Sequence, residues 1–168
     1  MRILILGGNG MVGHKIYQTL SSHFQDTWVL LRQPLKKFPH KNFFNSQKVI
    51  DRIDLSDFAV LQSELDKIDP DIIINAAGIT IRRGVNLSVY KSILINAALP
   101  HLLEEWVSNK KSKRIIHFST DCVFSGKSGE YSENSDLDAQ DVYGKTKGMG
   151  EVKGPNSLTL RGTMIGRE

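Results

Sequence analysis

A short apolar run that breaks into regularly spaced glycines constrains this chain most. Arg2 to Leu6 (RILIL) is followed at once by Gly7-Gly8-Asn9-Gly10-Met11-Val12-Gly13, and then by a helical stretch from His14 to His23. A buried strand, a tight turn and a helix whose free N–H groups face that turn make an anion site. Gly7 permits the turn, Gly10 lets the backbone approach a pyrophosphate, and Gly13 lets the helix pack closely on the strand. The spacing is G-x-x-G-x-x-G, with the second glycine one residue later than in the commoner dinucleotide fingerprint. An ordinary glycine-rich turn satisfies it too, so the remaining chain has to decide.

The remaining chain supplies a sheet. Thr27 to Leu31 reads as a second strand, Val49, Ile50 and Ile53 as a short third ending at Asp54-Leu55, and Asp71 to Asn75 as a fourth. Arg114 to Phe118 makes a fifth and Leu158 to Leu160 a sixth. Between them, Arg32 to Gln47 is a loop packed by Phe38, Phe43 and Phe44. Ser56 caps a helix whose face is Phe58, Leu61, Leu65 and Ile68, stopped by Pro70. A long helix is expected from near Leu87 to Asn109, kinked at Pro100, and another from Tyr143 to Val152. Strands alternating with helices give an α/β, doubly wound, mostly parallel Rossmann sheet with helices on both faces. Ligands of such a sheet lie beyond the carboxyl ends of its strands, where Gly7 to Gly13, Asn75 to Gly78 and Ser119 to Asp121 all fall.

At 168 residues the length suits one domain. No apolar run reaches the ~18 residues of a membrane span and the start lacks a signal-peptide pattern, so a cytoplasmic protein without membrane partners is expected. The single Cys122 excludes an intrachain disulfide framework and a cysteine-rich metal site, and no metal is expected. The net charge is +4, concentrated between Asp26 and Asp51 in Arg32, Lys36, Lys37, Lys41 and Lys48. That stretch lacks a helix-turn-helix pattern or regularly placed aromatics, which ranks nucleic acid last among partners.

Tyr143 and Lys147 stand four apart on a helix and share one face. A lysine ammonium beside a phenol favours the phenolate and draws its pKa down from ~10 toward neutrality. Gly144 and Gly148 cost helix stability and leave room for a flat ligand. Ser119 and Thr120 close the fifth strand, where a hydroxyl can hold a carbonyl oxygen, although a cap is the plainer role for both. A hydroxyl, a phenol and a lysine suffice to reduce a ketone without metal when a nicotinamide brings the hydride.

The turn GGNGMVG, the strand end NAAG, the segment STDCVFSG and Tyr143-Gly144-Lys145-Thr146-Lys147 together resemble the extended short-chain dehydrogenase/reductase family. They are most similar to its dTDP-4-dehydrorhamnose reductase branch. The resemblance implies an NAD(P)H-dependent oxidoreductase of a keto sugar nucleotide, serving deoxy-sugar and surface polysaccharide synthesis. It gives Thr120, Tyr143 and Lys147 the catalytic places, with Lys147 also on the nicotinamide ribose. Gly7, Gly10 and Gly13, with Met11 and Val12 between them, would cradle the pyrophosphate. Asp54 and Leu55 would flank the adenine, and Asn75, Ala76 and Ala77 would line the cofactor's path. Asn96 matches an asparagine that supports the active site, and reads equally as a polar residue satisfied inside helix packing.

Three departures from that branch stand out. Cys122 replaces a tyrosine two residues after the threonine, which alters the substrate pocket. Arg32 stands where NAD-specific proteins tend to place an acid, and its fork of donors suits a 2′-phosphate, so NADP is favoured over NAD. The family continues past Arg161-Gly162-Thr163 into a small substrate-binding domain, so these residues are expected to be the cofactor-binding part of a longer protein, with weak or no turnover by itself. An epimerase or dehydratase of the same fold, with Asp121 as its acid, and a non-catalytic dinucleotide-binding regulatory subunit are the alternatives. The sequence leaves a homodimer open.

Overall fold

The computed structural model describes residues 1–38, 41–80 and 88–163. Along the chain come β1 (Ile3–Leu6), α1 (Met11–His23), β2 (Thr27–Leu30), β3 (Val49–Ile50), α2 (Phe58–Ile68) and β4 (Ile72–Asn75). There follow α3 (Val89–Ser92), a π-helical turn (Ile93–Ala98), α4 (Leu99–Ser108), β5 (Arg114–Phe118), α5 (Val142–Met149) and β6 (Ser157–Leu160). The six strands form one parallel sheet in the order β3-β2-β1-β4-β5-β6, the doubly wound arrangement expected. The order reverses between β1 and β4, and a crevice opens at that switch point beyond the strand ends.

Strand periodicity divides the core. Ile3 and Ile5 of β1 join Tyr17 of α1, Val29, Leu31, Phe44 and Ile74 on one face. Leu4 and Leu6 face the other way, into Leu61 and Leu65 of α2, Leu99, Leu103 and Trp106 of α4, and Ile73 and Ile115. Every residue of β1 is buried, which a strand covered on both faces requires of its composition. The phenylalanines of the loop after β2 close the first face: Phe43 and Phe44 pack on Tyr17, whose hydroxyl accepts the Asn45 N–H at 2.9 Å. The basic charge there is partly spent inside the fold, since Lys48 pairs with Asp26 at 2.6 Å beside Arg2.

Several local expectations change. Asp57, not Ser56, caps α2, accepting from the Val60 N–H, while Ser56 turns back onto the Asp54 carboxylate. Strand β3 is only two residues long because Arg52 takes a left-handed conformation (φ 63°), and Ile53 rejoins the sheet by one bond to the Leu31 carbonyl. The long helix is three pieces; the part near Leu87 lies outside the described residues. Pro100 has no N–H for the Asn96 carbonyl, and the chain before it widens into the π-helical turn, with the Leu99 N–H reaching Leu94. Gly150 occupies the space beside that carbonyl so closely that a Cβ would lie 1.9 Å from the oxygen.

Candidate functional site

A cleft of about 630 Å³ opens at the switch point. Gly7, Asn9 and Gly10 form one wall, Arg32 and Gln33 the end of β2, Asp54 to Ser56 the approach to α2, and Ala76 to Thr80 the end of β4. Ser88, Lys91 and Ile95 close it from α3 and the π-helical turn. The glycine turn is tight enough to need its glycines: Gly7 has φ +77°, and a Cβ on Gly13 would fall 2.2 Å from the Gly7 carbonyl oxygen. Gly10 caps α1 with no side chain, and the first turn carries no acid. The helix's free N–H groups therefore face the turn with nothing negative to satisfy them, which fits a dinucleotide's pyrophosphate. Met11, Val12 and Gly13 form that first helical turn, whose free backbone N–H groups are the donors on this side.

At the far end, Asp54 is held ionised below its ordinary value, first by the hydroxyl and N–H of Ser56 and then by the charges of Arg32 and Lys91. Arg32 is exposed and lines the cleft next to Asp54 and Leu55. The two cations bear on one carboxylate, which suits a ribose hydroxyl on the acid and a phosphate between the bases.

Asn75 stands behind the cleft, and Asn96 is a polar residue satisfied inside the helix packing, one of the two readings its sequence allowed. Both are fully buried and neither lines the cleft. Asn75 accepts the Ala77 N–H at 3.1 Å, fixing the bend after β4 so that Ala76 and Ala77 present backbone to the cleft. Asn96 accepts the Ile79 N–H at 2.8 Å and donates to the Ile79 carbonyl at 2.9 Å and the Thr146 hydroxyl at 3.2 Å. Its amide clamps the end of β4 to α5, with both N–H donors used and one acceptor lone pair of Oδ1 left over.

Thr120, Tyr143 and Lys147 gather where β5 ends and α5 begins. Thr120 accepts the Cys122 N–H and donates to Asp121, both at 3.1 Å, and so caps the 3₁₀ turn Asp121–Val123. A strand alternates its faces, so Ser119 points away and donates to the buried Glu151 at 2.8 Å, a carboxylate that Arg161 grips with two bonds. That removes Ser119 as a partner for a carbonyl substrate. Gly144 does not leave room for a ligand either. A Cβ on it would lie 2.2 Å from the Cys122 carbonyl, so α5 lies directly on the Asp121–Val123 turn and brings Tyr143 to Thr120.

The electrostatics also differ from expectation. Burial raises the Tyr143 phenol above its ordinary 10.0, with the Thr120 hydroxyl pulling the other way. Lys147 does not lower it, because its buried amine is turned to the sheet, 2.6 Å from the Phe118 carbonyl and 3.4 Å from His117 Nε2. Burial takes Lys147 down to about 8 and His117 down to about 3. Tyr143 is thus a neutral phenol throughout the physiological range, an acid ready to donate.

A family model described as RmlD substrate binding domain matches residues 1–161, the whole sheet and the glycine turn included. The chain belongs to that family. Among relatives of this RmlD-family chain, a dTDP-4-dehydrorhamnose reductase of Aggregatibacter actinomycetemcomitans is 34% identical over 114 residues, covering 65% of this chain and 38% of the relative. Another dTDP-4-dehydrorhamnose reductase, of Burkholderia thailandensis, is 26% identical over 170 residues, 98% of this chain and 50% of the relative. A solved structure titled hypothetical dTDP-4-dehydrorhamnose reductase, from Sulfolobus tokodaii, superposes with a TM-score of 0.77 at 30% identity over 96% of this chain and 55% of that one. The chain spans about half the length, or less, of the curated relatives it matches.

Several residues of this RmlD-family site escaped the sequence reading. Ser56, Ser88 and Lys91 line the cleft, and His117 touches Lys147. His117 had a signal, since it interrupts the apolar residues Ile115, Ile116 and Phe118 of the fifth strand. Lys91 had none. Among the described residues no cluster of candidate metal ligands occurs, and no helix is long and apolar enough to cross a membrane.

Proposed function

We propose that residues 1–163 are the nicotinamide-dinucleotide-binding part of a reductase acting on a keto sugar nucleotide, of the dTDP-4-dehydrorhamnose reductase kind. The carrying observation is one edge of one sheet that holds both a glycine turn open to a pyrophosphate and, two strands away, a half-buried phenol beside a hydroxyl, with an amine on the same helix face. When bound, the reduced nicotinamide would supply the hydride. Tyr143 would protonate the carbonyl oxygen as it gains charge, since burial keeps the phenol protonated until that moment. Thr120, already polarised by the Cys122 N–H, would orient the same oxygen. Lys147 would turn from the sheet toward the nicotinamide ribose, and the Asn96 clamp would hold α5 against β4 while it does so.

NADP is the favoured cofactor because Arg32 and Lys91 offer a 2′-phosphate two cations at the cleft's adenosine end. Against a dehydratase stands Asp121, whose carboxylate is engaged by Thr120 and Thr163 and held ionised. The test uses the protein at the full length of its relatives. NADPH and NADH oxidation is followed against a panel of 4-keto sugar nucleotides, with Tyr143→Phe beside it. Activity should fall by ~10²-fold or more in the variant, and an equally active variant would end the assignment.

A further inference from the structure

The proton positions in the buried row behind the catalytic edge follow from donor counting. Asn75 and His117 are register partners on β4 and β5, and both are fully buried. The Ala77 N–H points at Asn75 Oδ1, 3.1 Å away, so the amide's oxygen is on that side and its Nδ2 faces His117 Nδ1 at 3.1 Å. An amide nitrogen only donates, hence Nδ1 must accept. A neutral imidazole that accepts at Nδ1 carries its proton on Nε2, and Nε2 points at Lys147 Nζ, 3.4 Å away. An ammonium has three donors and no lone pair, so it could not receive that N–H. An amine can, while still donating to the Phe118 carbonyl.

We propose that His117, locked as its Nε2–H tautomer by Asn75, is a positioning residue that donates to Lys147 and biases it, at the end of β5, toward the neutral amine. Protonating Lys147 breaks the His117 bond and brings two donors face to face, so movement of the lysine off the sheet and uptake of a proton go together. Burial acts in the same direction on both groups and outweighs the Asn75 backbone, which favours a proton on the His117 ring. The other charged groups that bear on the pair do not reverse this. Glu151, one turn beyond Lys147, favours the ammonium, but its carboxylate is already neutralised by Arg161. His101 of α4 disfavours charge on His117, and Tyr143, one turn before Lys147, is neutral. On the reading of the cleft given above, ribose hydroxyls that accept from Lys147 would draw a proton with it.

The test needs no dinucleotide, so it can fail while the proposed cofactor reading stands, and the reverse. The 168-residue chain, labelled with ¹⁵N at histidine, is followed by long-range ¹H–¹⁵N spectra from about pH 5 to about pH 9, with His117 assigned by its loss in His117→Gln. His117 should show a pyridine-type Nδ1 and a pyrrole-type Nε2 throughout. Lysine labelled with ¹³C at Cε gives the Lys147 midpoint, assigned with Lys147→Arg. In His117→Gln the glutamine carbonyl can rotate to accept from an ammonium, so the midpoint should rise by about one pH unit or more, tenfold in proton affinity. An Nδ1–H tautomer in the parent chain, or an unchanged lysine midpoint in the variant, overturns the proposal. Should His117→Gln not fold, the parent's tautomer decides alone.

Discussion

Replacing Asn96 by leucine separates a clamp from a cofactor ligand. The two side chains are close in volume, so the change removes polar contacts with little change in packing. It deletes the bonds to the Ile79 N–H at 2.8 Å and the Ile79 carbonyl at 2.9 Å, and the longer one to Thr146. Thr146 loses little, because its hydroxyl still donates to the Val142 carbonyl at 2.7 Å. The cost therefore falls on two backbone groups left without partners, each worth roughly 1–3 kcal/mol when buried. Ile79 is only half-buried, so water reaches part of it and the low end applies. The sum is about 2–3 kcal/mol, a large fraction of the roughly 5–15 kcal/mol that holds a domain of this kind together. Urea unfolding of the 168-residue chain measures it. Dinucleotide affinity, taken where both forms are folded, should fall with the loosening of the β4 end and recover in part at lower temperature. A variant within about 0.5 kcal/mol of the parent in stability but unable to bind dinucleotide would refute the clamp.

Other consequences are simpler to state. Gly13→Ala drives a methyl into the Gly7 carbonyl, 2.2 Å from where its Cβ must sit, and neither backbone can yield. Stability should drop by about 1–3 kcal/mol and dinucleotide binding should vanish; a stable variant that binds normally would contradict the turn geometry. Arg32→Glu should weaken NADPH binding by tenfold or more relative to NADH, read by fluorescence titration, and equal losses for both would remove Arg32 from the 2′-phosphate. The chain should lose stability on acidification from about pH 6.5. His117 is held down to about 3 in the fold but regains an ordinary value when unfolded, so the unfolded chain binds the extra proton between these limits. The His117 contribution is then full above pH ~6.5 and declines toward pH ~3, by on the order of 5 kcal/mol. Lowered carboxylates such as Glu151 join only below about 4.5, their stabilisation being present above that value and lost beneath it. A urea midpoint unchanged between about pH 7 and about pH 5 would rule out the neutral buried histidine.

Which parts of this protein the sequence by itself determined follows from the range of the forces involved. The parallel sheet was legible because a strand covered on both faces must be apolar throughout, and β1 and β4 carry that signature in RILIL and DIIIN. The glycine turn was legible because backbone sterics are local: Gly7 and Gly13 are demanded by atoms within a few residues. Tyr143 and Lys147 were placed on one helix face by periodicity alone. Tertiary structure decided everything that depends on which polar group meets which across the chain. Ser119 and Thr120 are neighbours, yet one serves Glu151 and the other the Asp121–Val123 turn. Asn75 and Asn96 hold the cleft's walls from behind, through the Ala77 and Ile79 backbone. Lys147 could be assigned to a helix face from its position, but its orientation toward His117 and the Phe118 carbonyl arises from β5 lying beside α5. Hydrogen-bond partners thirty or fifty residues apart leave no local trace in composition or spacing, and in a buried site they set the protonation state of each group.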